Sequence, residues 1–176
     1  MFDKLKVFFL GKSMKENIKS GGKVTVQVRR YNPINDSYGD WQVICKDKSN
    51  LLTDAGRDLF IAQDYTNTSA GTRGAGYIAL SENATAPTDA DTTIASEITT
   101  NGLGRADATT KTHTTGTSTA VIEHTFTASG TFTAVQKAGL FNASSGATLC
   151  HANTFTSTAL SSGDQLKITW NLTLND

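Results

Sequence analysis

Imidazole, thiol and carboxylate side chains are the natural first places to look for chemistry. The chain carries three histidines, His113, His124 and His151, and Cys150 stands beside the last. Imidazole and thiolate are good zinc ligands. These residues, however, do not fall at the close spacings of metal motifs, and neighbouring strands would have to bring them together. His124 is expected in or beside a core and His113 on a loop. Serine and threonine abound, yet no Gly-x-Ser-x-Gly elbow occurs. A Ser–His–Asp triad can be assembled from distant positions, but nothing singles out a candidate. Glu97 with Asp107, or Asp89 with Asp91, has the residue types for glycoside hydrolysis. Asp89 and Asp91 lie in a small, polar stretch and read as solvated, and their spacing does not match a calcium loop. The glycine-containing segment 71–76 lacks the Gly-Lys-Ser/Thr ending of a phosphate loop and reads as a surface loop. The expectation is a non-enzyme with no catalytic residue, cofactor or metal.

The N-terminal segment has a stronger claim to function. Residues 1–30 hold eight Lys and Arg against Asp3 and Glu16, which leaves a net −6 on the rest of a chain whose total is zero. Within this basic stretch Phe2, Leu5, Phe8, Phe9 and Leu10 recur at roughly helical spacing. Basic and aromatic residues together suit nucleic acid. Interleaved phenylalanines fit better as anchors in apolar pockets of another subunit. These five residues are therefore the candidate partner-binding set. Gly21-Gly22 reads as a hinge, which divides the chain into an arm, 1–22, and one domain, 23–176.

The elements that must position everything else follow. From Lys23 the period becomes two: Val24, Val26 and Val28 share a face. Turn residues crowd 31–40, after which Trp41, Val43 and Cys45 alternate, so a hairpin with a long loop is expected. Thr53 and Asp54 announce a helix over 50–63, with Leu52, Leu59 and Phe60 inward. Residues 76–80 read as a short buried strand, 81–93 as polar linker around Pro87, and Ile94 to Ile98 as a helical turn. Ala120, Ile122, His124 and Phe126 share one strand face. Leu149, His151, Asn153 and Phe155 share another, after a tight turn at 143–146. The last strand alternates most cleanly, with Leu166, Ile168, Trp170, Leu172 and Leu174 inward. Short strands punctuated by turns argue for a mainly β antiparallel sandwich, jelly-roll-like, with one short helix. The two cysteines, Cys45 and Cys150, are expected as free thiols of a protein assembled in a reducing cytoplasm. No apolar run approaches the roughly 20 residues that span a bilayer.

The order of certain stretches resembles a family of β-rich virion proteins of tailed phages and related viruses, found in tails, fibres and on capsid surfaces. These are Asn50-Leu51-Leu52-Thr53-Asp54-Ala55-Gly56-Arg57-Asp58, Gly76-Tyr77-Ile78-Ala79-Leu80-Ser81, Ala86-Pro87 and Asp91-Thr92-Thr93-Ile94. Gly102-Leu103-Gly104-Arg105, Lys137-Ala138-Gly139-Leu140-Phe141-Asn142-Ala143 and Gly163-Asp164-Gln165-Leu166 continue the series. The likeness covers 23–176 and leaves the arm unexplained. It implies a structural component of a virion, docking as capsid decoration or on the tail or neck, with copies of itself and other virion proteins as partners. The family pattern carries no catalytic residues. The alternative is a carbohydrate- or receptor-binding adhesion module of tail-fibre type, which would present exposed aromatics such as Tyr31, Tyr38 and Tyr65 to a glycan.

Overall fold

The computed structural model describes residues 19–61 and 74–175. In chain order the strands are β1 (Lys19–Arg29), β2 (Tyr31–Asn32), β3 (Ser37–Tyr38), β4 (Gln42–Ser49), β5 (Leu51–Leu52), β6 (Tyr77–Ser81), β7 (Ala106–Asp107), β8 (Thr110–His113), β9 (Thr119–Thr127), β10 (Phe132–Phe141), β11 (Leu149–Leu160) and β12 (Gln165–Asn175). Helix α1 (Asp54–Ile61) lies between β5 and β6. One five-stranded sheet has the order β4-β1-β12-β9-β8, the other β5-β11-β10-β6-β7, and β2 pairs with β3 in a small separate hairpin. All pairings are antiparallel. The expected sandwich with one short helix is the fold.

Alternation decides which face each strand buries. Val24, Val26 and Val28 of β1 and Leu166, Ile168 and Trp170 of β12 are fully buried, and Ile122 and Phe126 of β9 join them. They meet Ile78 and Leu80 of β6, Val135, Ala138 and Leu140 of β10, and Phe155 and Leu160 of β11 in one core between the sheets. A second, smaller cluster lies behind the other face of β6, β10 and β11: Ala79, Phe141, Leu149 and Ala152, covered by Ile94. The segment between β6 and β7 therefore roofs that face.

Four local expectations are corrected. Gly21-Gly22 is not a hinge: both residues are inside β1, opposite Thr173 and Leu172, because β12 is long enough to template the strand back to Lys19. Four residues assigned to the arm thus belong to the sheet. Val43 does not share a face with Cys45: Val26 pairs with Cys45 but Gln27 with Val43, so Ile44 is an extra residue and the bulge turns Val43 outward. Leu149 likewise parts from His151. Leu140 pairs with His151 and Phe141 with Leu149, and the extra Cys150 sends Leu149 into the smaller cluster. Ile94 to Ile98 is a tight turn with Ser96 at a φ of 53° rather than helical, and it carries Ile94 to the outer cluster and Ile98 to the main core.

Candidate interaction surface

The loop between β1 and β4 is where side chains are left over. Pro33, Ile34, Asn35 and Asp36, the last at a φ of 50°, turn the chain. Asn32 accepts the Ile34 amide at 3.0 Å, and Tyr31 donates its hydroxyl to Asp36 at 2.7 Å. That bond holds the Tyr31 phenol above its ordinary pKa. The rings of Tyr31 and Tyr38 lie 5.4 Å apart across the β2–β3 pair. At the base of the loop, on the outer face of the first sheet, the Arg29 guanidinium lies 4.3 Å from the Tyr38 ring centre and 4.7 Å from that of Trp41. The Lys167 ammonium stands 4.8 Å from the same indole. The layer is thus aromatic and cationic, with each cation held against a ring.

Around it the chain exposes apolar groups. Ile34 is 94% exposed, Val43 54% and Tyr38 39%, and these are the large hydrophobic side chains exposed among the described residues. All three fall within ten residues of sequence, Ile34 and Tyr38 on the β2–β3 hairpin and Val43 near the start of β4. Of the aromatic trio considered for a glycan, Tyr31 is half-buried, Tyr38 is exposed and Tyr65 lies outside the described residues. The sequence reading missed Ile34, Trp41 and Val43 as surface groups. Trp41 and Val43 look like strand residues until the bulge at Ile44 is known.

The histidines do not assemble. His113 is exposed at the end of β8, its Nδ1 3.0 Å from the Thr119 carbonyl. His124 stands half-buried on β9 with its ring 4.6 Å from that of Phe126, and burial pushes its pKa down. His151 is buried in the other sheet, next to Trp170. No group of three or more His, Cys, Asp or Glu close enough to hold a metal occurs among the described residues. Cys45 and Cys150 are free thiols, and burial pushes Cys150 up to about 12, far from a reactive thiolate. Of the acids, Glu97 is tied to Arg105 at 2.6 Å and Asp107 to Lys111. Asp91 accepts the Thr88 hydroxyl and amide at 2.8 and 3.1 Å, which hold its carboxyl below the ordinary value. An open cavity of about 380 Å³ lies beside this turn, lined by Asn83, Thr88, Asp91, Thr93 and Lys137 among others. The buried Lys137 ammonium donates to Asn83 at 3.0 Å and so pins the roof segment to β10.

The stretches that carry the family resemblance serve the fold. Thr53 caps α1 by accepting the Gly56 amide at 3.0 Å, and its own hydroxyl donates to the Leu149 carbonyl. A Cβ on Gly56 would lie 2.6 Å from the Cys150 carbonyl oxygen, so only glycine lets the helix sit this close to β11. Gly139 gives the same clearance beneath Ile94, where a Cβ would lie 2.9 Å from Cγ2. Arg105 stacks 3.6 Å from the Phe141 ring centre while holding Glu97 and donating to the Ala143 carbonyl at 3.3 Å. Asp164, 4% exposed, accepts the Tyr31 and Ser161 amides and the Arg30 guanidinium. Burial alone would push its carboxyl up, but these three donors outweigh it and hold the pKa below the ordinary value.

The five candidate partner-binding residues, Phe2, Leu5, Phe8, Phe9 and Leu10, lie outside the described residues. No protein-family model, curated protein or solved structure matches the chain.

Proposed function

We propose that this chain is a structural subunit of a tailed-virus particle, a β-sandwich that docks on the capsid surface or on the tail or neck. The observation that supports it is the exposure of Ile34, Tyr38 and Val43 on the β2–β3 hairpin and the adjoining start of β4. Meanwhile Thr53, Arg105, Glu97 and Asp164 have their polar groups engaged within the fold. Exposed large apolar side chains close together in the chain offer a place for another surface to sit. The N-terminal segment adds Phe2, Leu5, Phe8, Phe9 and Leu10. Burying one such side chain is worth roughly 1.5–3 kcal/mol, so a few would anchor a subunit even after the cost of ordering it. Repetition over a symmetric particle multiplies the effect.

The test is co-sedimentation of the full chain with particles lacking it. Wild type is expected to join at high occupancy, and the double substitution Phe8→Asp, Phe9→Asp to reduce occupancy at least tenfold with unchanged thermal unfolding. Equal occupancy would remove the N-terminal segment as the anchor.

The second reading, a glycan-binding adhesion module, draws on the outward Tyr38 and Trp41 rings with Arg29 beside them. Flat aromatic faces with nearby donors can stack on sugars. Loss of cell or glycan binding on Trp41→Ala, with particle assembly intact, would favour it.

A further inference from the structure

The aromatic end of the first sheet has a candidate occupant in the chain itself. We propose that the patch around Ile34, Tyr38, Trp41 and Val43 receives the N-terminal segment, residues 1–18, of a second copy, which joins copies head to tail. The inference rests on the assembly reading above and names the partner.

The polarity of β1 carries the argument. The chain enters β1 at Lys19, beside Asn175, and leaves it at Arg29, beside Gln165 and the β2–β3 loop. Eleven residues of strand separate the two ends, about 33 Å at the usual rise. The N-terminal segment therefore joins the sandwich at the end opposite the patch. To reach its own patch it would have to reverse and run the length of the outer face. Along that path β1 and β12 present Lys23, Thr25, Gln27, Asn171, Thr169 and Lys167, a polar surface. Between two copies stacked end to end no reversal is needed, because the entry end of one faces the patch end of the next.

Composition supports the match. Residues 1–18 offer large apolar side chains, Phe2, Leu5, Phe8, Phe9 and Leu10 among them, and Lys4, Lys6, Lys12 and Lys15 against Asp3 and Glu16, a net of +2. Residues 31–45 carry Asp36 and Asp40, and the cations beside them, Arg29 and Lys167, are already held against the Tyr38 and Trp41 rings. Asp40 makes no ion pair among the described residues. The apolar groups of the segment have Ile34, Val43 and the exposed part of Tyr38 to cover, and Asp40 offers its lysines a carboxylate. Simple strand addition is disfavoured at the adjoining edge. β4 has two register shifts against β1 and carries Lys46, Asp47 and Lys48, features that guard an edge against pairing. In an end-to-end stack, contact between an N-terminal segment and a different patch is heterologous and propagates into a ring or a filament.

The experiment is sedimentation velocity on the full chain over a hundredfold range of concentration. Three samples are compared: wild type, an arm variant (Phe8→Asp, Phe9→Asp), and a patch variant (Ile34→Asp, Val43→Asp). Ile34 and Val43 are exposed, so the patch variant is expected to fold, with an unfolding midpoint near wild type. Wild type is expected to gain mass with concentration, and each variant alone to remain a monomer where wild type has assembled. An equimolar mixture of the two variants still contains one intact segment and one intact patch. It is expected to form a dimer and to stop there. A wild type that stays monomeric throughout, a patch variant that assembles like wild type, or a mixture that stays monomeric would each overturn the inference. If wild type is monomeric alone yet joins particles through Phe8 and Phe9, the segment docks on another virion protein: the assembly reading stands and the head-to-tail contact is rejected.

Discussion

The side-chain amide of Asn50 donates to Nδ1 of His151 at 2.8 Å, inside the sandwich, with the Trp170 ring 6.3 Å and the Phe60 ring 5.9 Å from the imidazole. In this orientation of the Asn50 amide, Nδ1 is the acceptor. Protonation there would set N–H against N–H and strand a charge in a site that is 1% exposed.

This makes His151 a liability in acid. Burial pushes its pKa down to about 4, below the ordinary 6.5. Above pH 6.5 the histidine is neutral in both folded and unfolded chains and costs nothing. As the pH falls from 6.5 to 4 the unfolded chain binds a proton that the folded chain refuses, so stability declines, by roughly 3 kcal/mol in all. His124, lowered by burial, acts in the same direction. Asp164, held low, loses its contribution only at more acid pH. Urea midpoints measured between pH 7 and 4.5 should fall steadily for wild type and much less for His151→Gln. An equal slope in the variant would show that His151 is not the group responsible.

Trp170 is the largest fully buried side chain and lies on the central strand of its sheet. Trp170→Ala is expected to cost about 3–5 kcal/mol. Its neighbour Thr169 faces outward and gives its hydroxyl to Glu123 at 2.5 Å. Thr169→Ala should cost about 1 kcal/mol. Equal shifts of the denaturant midpoint would mean that the strand faces are reversed.

The alternation of β12 was legible because it is unbroken from Leu166 to Leu172, and the α1 cap was legible because Thr53 and Asp54 act within one turn. The bulges at Ile44 and Cys150 were not. A bulge adds one residue to one strand, and the sequence of that strand still alternates; only its partner reveals the slip. Gly21-Gly22 looked like a break because glycine has little strand propensity of its own, whereas here β12 supplies the pairing. The exposed patch was half legible: Tyr31 and Tyr38 stood out as aromatics in a turn, but the outward position of Val43 depends on the bulge. Arg105 appeared in the sequence only as part of a resembling stretch, since nothing local says that Phe141 and Glu97 will meet it.

Gly56 sets how closely α1 packs. Gly56→Ala would ordinarily favour a helix by up to about 1 kcal/mol. Here the added methyl would meet the Cys150 backbone at 2.6–2.7 Å, and a backbone cannot swing aside as a side chain can. The substitution is expected to destabilise the domain by about 1–3 kcal/mol instead. A rise in the thermal midpoint would show that the helix can lift from β11 without loss.

Arg105 and Glu97 form the most enclosed ion pair among the described residues, their side chains 12% and 20% exposed. Two nitrogens of the guanidinium reach the two carboxylate oxygens, at 2.9 and 2.6 Å, and the same group lies over Phe141. It thereby ties the turn before β7 to β10. Removing one partner leaves the other charge half-enclosed with no counterion, which costs more than the pair contributes when intact. Arg105→Met and Glu97→Gln are each expected to destabilise by about 2–3 kcal/mol, Arg105→Met more because it also leaves Phe141 uncovered. The double variant should lose less than the sum, by about 1–3 kcal/mol, since neither unpaired charge remains. Denaturant unfolding of the four proteins in the cycle measures this directly. Additive losses would mean that solvent already screens the pair and that Arg105 acts through its stack on Phe141 alone.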